Sequence, residues 1–366
     1  MPNTANYAER WEPELLEIFM QESLISPFIT TNVKWLDAKT FHFTQMNTTG
    51  YNNHSRNGGW NRGTFTQTDK PFTLDHDRDV EFLVDKLDVD ETNATASIQN
   101  ISKVFTRTQA VPESNAYFFS KCATLARGLS GYHSSTALTD YTVANVFSKL
   151  KAALGAGKLR RYKAKSALIM YVRSEIMDLL ERSTELQKKV EMTQIAEGGF
   201  GIETRVTVID GVPVFEVIDD EVFYDKFNFD GADGGFNPVE KVEAVYTLTS
   251  DVALDDDKTY YTRSGSAGSY VYTAVDDPKV ANIASYYELT TAGVEGSLKI
   301  IVFIASPVNT KFVPKINSIY YFAPGTHTQG DGYLYQNRAF SGTFTFPNGK
   351  DGAVDSLFVD LGEEVS

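Results

Sequence analysis

The stretch NATASIQNISKVFTRTQAVPESNAYFFSKCATLAR, residues 93–127, decides the architecture. Its apolar or small positions, Ile98, Ile101, Phe105, Thr108, Pro112, Ala116, Phe119, Ala123 and Ala126, recur at steps of three or four and so share one helix face. Gln99, Lys103, Arg107, Gln109, Glu113, Asn115 and Lys121 occupy the other face, which makes an amphipathic rod with one buried side. Unbroken, the rod would run roughly 50 Å. Pro112 should kink it or divide it into two abutting helices, because Pro followed by Glu113 also makes a good first turn. A rod of this length followed by mostly β sequence predicts an extended plate.

Composition narrows the rest. The 366 residues are 42% hydrophobic, enough for two or three folded units. With 24 Phe and 19 Tyr but only 22% charged residues, the chain favours broad sheets and contact surfaces over disorder. A formal charge of −14 argues against a charge-driven grip on DNA or RNA, since phosphate contacts need Lys and Arg. The single cysteine, Cys122, lies inside the rod and reads as a small buried hydrophobe. No apolar run has the length of a membrane span, and the first residues are too polar for a secretory signal. A soluble protein made in a cytoplasm is expected.

Upstream of the rod, EPELLEIFMQES has Pro13 at a helix start, acids in the first turn, and Leu15, Ile18 and Phe19 on one face. Such a greasy stripe must dock on something, and another subunit is a candidate. KTFHF alternates. A polar, Gly-rich segment follows, QMNTTGYNNHSRNGGWNRGTF, carrying Tyr51, Trp60 and Phe65. PFTL and DVEFLV then alternate again, with Phe72, Leu74, Val80, Phe82 and Val84 placed for strands. These stretches predict a long β-hairpin with its tip near Tyr51–Gly63. Large aromatics on a long polar tip read as anchors for a partner. The acidic run after it, Asp77 and Asp79 included, reads as a solvated strand face or as a charged contact to a neighbour.

Downstream, TDYTVANVFSKLKAALGAG predicts a helix capped by Asp140 or Thr142. KSALIMYV reads as a buried strand, and RSEIMDLLERS as a helix with Ser174 at its N-cap. ETRVTVI and VPVFEVI flank Asp210-Gly211, a strong hairpin turn. Residues 243–297, Tyr- and Thr-rich, predict three to five short strands in an inserted module. KIIVFIA then resumes a sheet centre, and the alternating tail returns beside the rod.

The sequence offers no convergent chemistry. None of the five histidines is in metal-binding spacing, and Asp75-His76-Asp77 on a strand would point to opposite faces. GAGK at 155–158 lacks the earlier glycine and the following Ser or Thr of a phosphate loop, and lies at a helix C-terminus. DVALDDDK lacks the glycine and glutamate of a calcium loop. No catalytic, cofactor or metal site is expected, and the chain is read as an assembling or binding protein.

The order of parts resembles the major capsid protein of tailed bacteriophages, the Hong Kong 97 capsid fold. TRTQAVPESNAYFFSKCA is similar to that family's spine helix. SALIMYVRSEIMDLLERS and GVPVFEV resemble its axial strand, helix and hairpin. KIIVFIASPVNTKFVPKI with GYLYQNRAFSGTFTF resembles its closing strand, helix and peripheral strands. The resemblance implies an α+β chain: an N-terminal arm (1–38), an extended β-hairpin loop with flanking strands (39–91), a spine helix in a peripheral domain (92–132), an α/β axial domain (133–242, returning at 298–316), an inserted small β domain (243–297), and peripheral strands with the C-terminus (317–366).

It further implies a virion shell protein assembled in the host bacterial cytoplasm. Hexamers and pentamers of itself would close an icosahedral shell around double-stranded DNA without sequence-specific contact. Implied partners are a portal protein and a scaffolding protein, with a decoration protein a further candidate. The scaffold would be separate, because a hairpin starting near residue 39 leaves no room for a fused one. Lys70, beside Pro71 and off the tip, argues against crosslinking of a loop lysine. Candidate subunit contacts are Leu15, Ile18 and Phe19 on the arm, Tyr51, Trp60 and Phe65 on the hairpin, Asp77 and Asp79 on the strand, and Arg107, Arg160 and Arg161. Two alternatives stay open: an encapsulin-like nanocompartment shell, and a carbohydrate- or receptor-binding β-module protein motivated by residues 243–297.

Overall fold

A computed structural model describes residues 23–31, 35, 37, 39–54, 58, 60–86, 98–163, 167–183, 206–229, 235–249, 259–266, 270–275, 286–326, 328, 330, 332–348 and 352–364. The amphipathic rod is continuous from Ile98 to Arg127, in three pieces: an α-helix Ile98–Phe105, a π turn Thr106–Ala110, and an α-helix Val111–Arg127. Proline causes the π turn. In regular α geometry the Pro112 ring would collide with the Thr108 carbonyl, and it has no N–H to give. One widened turn just before it relieves both problems. Within that turn the Val111 N–H reaches the Thr106 carbonyl, and the Thr106 and Thr108 hydroxyls donate to the carbonyls of Ser102 and Val104, each at 2.9 Å. The helix therefore runs through Pro112 without dividing.

Two sheets share this helix. The larger has six strands in the order His133–Ser135, Leu357–Glu364, Leu298–Ala305, Ile169–Arg173, Val212–Val217, Val206–Ile209. Its alternating side chains feed a core on each face. Ile169, Tyr171, Phe303, Leu357 and Val359 meet Ala116, Phe119, Cys122 and Ala126 of the long helix. Met170, Val172, Ile304 and Phe358 meet the helices Val146–Ala153 and Ser174–Arg182 on the other side. The run Leu298–Ala305 changes phase midway: Ile300 and Phe303 face the long helix while Ile301 and Val302 both face away, because the register slips between Ile300 and Val302. On the partner strand a Cβ on Gly362 would stand 2.9 Å from the Ile301 Cδ1 methyl, so any other residue there would make the Ile301 side chain shift.

The second sheet has three antiparallel strands, Thr310–Phe322, Gly332–Thr345 and His76–Asp85. Ile319 and Tyr335, with Phe82 and Val84 beside them, pack on Ile98 at the start of the helix. Only a short turn at Ser306–Asn309 separates this sheet from KIIVFIA, so no helix follows that strand. The C-terminal strand also departs from the sequence reading. Leu357–Glu364 enters the six-stranded sheet, where Leu357, Val359 and Leu361 bury against the helix and Asp360 takes hydrogen bonds from Ser134 and Tyr141 on the other face.

Smaller corrections are local. Asn145, rather than Asp140 or Thr142, organises the helix start at Val146 by accepting the Thr142 N–H at 2.9 Å. Ser174 is the first helical residue and donates its hydroxyl to the Val217 carbonyl, so it does not cap. Asp210 and Gly211, both with positive φ (53° and 80°), form the two-residue hairpin turn.

Phe118 is the joint between the sheets. Its ring lies 5.8 Å from Phe303 in the larger sheet, 6.4 Å from Phe312 in the smaller and 5.0 Å from Phe28 of the leading segment. Phe118→Ala removes a fully buried ring that no neighbour can replace. It should cost about 3–5 kcal/mol in urea unfolding, whereas exposed Tyr51→Ala should stay within about 0.5 kcal/mol.

Candidate assembly surface

The alternating stretches at residues 40 and 65 pair as a two-stranded ribbon, Thr40–Thr48 against Phe65–Thr73, in register from Thr40↔Thr73 to Thr48↔Phe65. DVEFLV is not its return strand; it lies in the three-stranded sheet. Only the base of the ribbon is rooted. Phe41 sits against Phe72 (5.8 Å) and Phe344 (5.1 Å), over Leu74, Val313 and Phe340.

Beyond Met46 the tip leaves this cluster. The Thr49 N–H donates to the Thr64 carbonyl, the Asn61 side chain donates to the Asn53 carbonyl, and the Trp60 ring comes within 6.2 Å of His54. Tyr51 is fully exposed, Trp60 is 93% exposed and Phe65 71%. A protruding two-stranded ribbon with bare aromatics has no fold-internal reason to carry them.

The acidic strand is engaged within the chain. Asp77 takes two hydrogen bonds from Arg338 (2.9 and 2.7 Å) and one from Lys39 (2.6 Å). Asp79 is exposed beside the same arginine. Asp75 binds Tyr117 and Lys121 of the long helix, while Glu113 holds Arg78 at 2.7 Å and His76 at 3.0 Å. These pairs tie the strand His76–Asp85 to the helix on one side and to the neighbouring strand on the other.

Leu15, Ile18 and Phe19 lie outside the described residues, as does the Lys70 side chain. Arg107 is exposed on the π turn, far along the chain from the hairpin aromatics. Arg160 is exposed near Gly155. Arg161 is exposed but ion-pairs at 3.1 Å with the fully buried Asp355, which also accepts from Tyr162 and Asn348. The candidates thus do not form one patch. The exposed aromatics lie on the ribbon and its tip, while Arg160 lies in the short helix Arg160–Lys163, against Gly155.

A feature the sequence did not mark is a cleft of about 430 Å³ between the long helix and the three-stranded sheet. Phe82, Phe105, Ala110, Pro314, Ile316 and Phe340 wall it, and Arg78 and Glu113 stand at its rim. No local pattern announces it. Among the described residues there is no metal-ligating cluster, and no helix is long and apolar enough to cross a membrane.

No family model matches the chain, and no curated protein matches it in sequence. Its fold does match. The chain shares its fold with solved phage capsid structures. The capsid structure of the cyanophage P-SCSP1u superposes with a TM-score of 0.50 over 93% of this chain and 88% of that one, at 9% identity. The acidic stable capsid structure of Helicobacter pylori bacteriophage KHP30 gives a TM-score of 0.50 over 93% and 90%, at 10% identity.

The Asp77 cluster predicts an acid response. Hydrogen bonds from Arg338, with Lys39 adding to them, hold the Asp77 carboxyl at about 2 against an ordinary 3.8. A carboxyl lowered by folding stabilises fully above its unfolded pKa and loses that contribution as pH falls toward its folded one. Stability should therefore drop between about pH 4 and pH 2, and Asp77→Asn should flatten that part of the profile in urea titrations at graded pH.

Proposed function

We propose that this chain is a phage major capsid subunit. Copies would assemble as hexamers and pentamers into an icosahedral shell around double-stranded DNA, with a separate scaffolding protein, a portal protein and optionally a decoration protein as partners. The proposal places it in the virion, assembled in the host bacterial cytoplasm, and assigns it no catalysis. Its parts take the roles of arm (1–38), extended loop (39–91), spine helix with peripheral strands, axial sheet and inserted module (243–297). The C-terminal strand is reassigned to the axial sheet.

The observation that carries this reading is the hairpin: a ribbon fixed at its root and bare at an aromatic tip, on a chain with a capsid fold. Burying one such ring, about 150–250 Å², offers a gross gain of about 4–6 kcal/mol before ordering costs. One contact of that size is weak. Repeated around every subunit of a closed shell it becomes stable through multivalency. The arms must hinge to serve rings of six and of five, and Gly50 and Gly63 flank the tip on the ribbon side. A net charge of −14 suits a wall that encloses DNA without adhering to it.

Trp60→Ala with Tyr51→Ala tests the assignment. The subunit should keep its thermal stability, since both side chains are exposed, while the yield of closed particles by sedimentation and negative-stain microscopy should fall at least tenfold. Undiminished assembly of the double variant would contradict a contact role for the tip.

A further inference from the structure

The inserted sheet runs Val245–Thr249, Tyr286–Thr291, Tyr260–Ser264, Val271–Ala274. It joins the body through two connections that meet in a bridge at Val242 and Val294. Cross-strand partners share a face, so the pairs Leu248↔Tyr287, Tyr261↔Tyr287, Tyr246↔Leu289 and Arg263↔Tyr272 place four tyrosines and one arginine on the same side.

The rings gather. Tyr246 and Tyr272, from opposite edges of the sheet, stack at 3.8 Å and 8°. Tyr261 meets Tyr246 edge-on at 5.0 Å, and Tyr287 meets Tyr272 at 5.3 Å. Beside them the Arg263 guanidinium lies 4.1 Å from the Tyr270 ring and 4.8 Å from Tyr287.

Arg263 is exposed and, among the described residues, has no carboxylate partner. This is unusual in a chain whose acids outnumber its bases 48 to 34 and whose other exposed arginine of comparable strand setting, Arg338, is doubly bonded to Asp77. Aromatic faces fix the guanidinium plane and leave its N–H edge unspent. A fixed guanidinium edge matches a carboxylate in a two-pronged hydrogen bond, and a half-exposed tyrosine face matches the C–H face of a pyranose.

We propose that this face of the inserted sheet binds acidic glycans, with a sugar ring laid against Tyr270 and the neighbouring tyrosines and its carboxylate on Arg263. The inference rests on the inserted sheet alone and does not depend on the shell reading.

The full chain is tested against oligogalacturonate with free carboxylates and against the same oligomer methyl-esterified, by calorimetry at physiological salt. Binding of the free acid, loss of binding on esterification, and a roughly ten- to hundredfold weakening by Arg263→Gln or Tyr270→Ala are expected, as for the removal of one charge-assisted contact. The esterification arm uses the unmodified chain, so it decides the matter even if a variant disturbs the sheet. Equal binding of both oligomers, no binding of either, or equal binding of duplex DNA, which would mark an unselective polyanion surface, would each overturn the proposal.

Discussion

Phe118 and Phe119, adjacent on one helix, hold the six-stranded and the three-stranded sheets together. Phe118 touches Phe303 and Phe312, which sit on successive strands belonging to different sheets. Phe119 meets Tyr171, Phe223 and Phe303 at 4.9–5.5 Å. Because interiors close-pack, fixing these two rings fixes the angle between the sheets. The helix must then be long enough to reach from Ile98, against the three-stranded sheet, to Ala126, against the six-stranded one. Arg127 completes its last turn by a 2.6 Å ion pair to Asp225, which is buried and itself accepts the Leu298 N–H.

What the helix does not hold is equally informative. The hairpin tip and the inserted sheet each connect to the body at a narrow root, and each carries its aromatic side chains outward or on its own face. The body buries Phe28, Phe118, Phe119, Phe303 and Phe312, whereas the attachments display Tyr51, Trp60 and Phe65 on the hairpin and Tyr270 on the inserted sheet. A division between a close-packed frame and exposed attachments is what the proposed shell role requires, since assembly must add contacts without repacking the core.

Local periodicity made the frame legible. The apolar run KIIVFIA and the Asp210-Gly211 turn are each set by neighbours a few residues apart and stand where their patterns placed them. The helix stripe holds from Ala116 to Ala126 but fails at Thr108, which is exposed, and at Asn115, which is buried against Ser23 although the periodicity put it on the polar face. The hairpin aromatics were legible for the opposite reason, as large apolar residues in a polar stretch. Pairings across long separations were not legible. Asp77 looked like part of a bare acidic face, but its partner Arg338 is 261 positions away. The slip at Ile300–Val302, the entry of Leu357–Glu364 into the larger sheet, and the cleft beside Phe105 depend on packing that no short window contains. Arg263 gave no signal at all, because its place over the Tyr270 and Tyr287 rings is a property of three dimensions.

Amide hydrogen exchange of the isolated subunit and of assembled particles tests the division between frame and attachments most directly. Residues 51–54 and 60–62 should exchange rapidly in the subunit and become protected on assembly, while Ala116–Ala126 should exchange slowly in both states. A tip already protected in the isolated subunit, or one that stays unprotected in the particle, would contradict a surface built to be completed by a second copy.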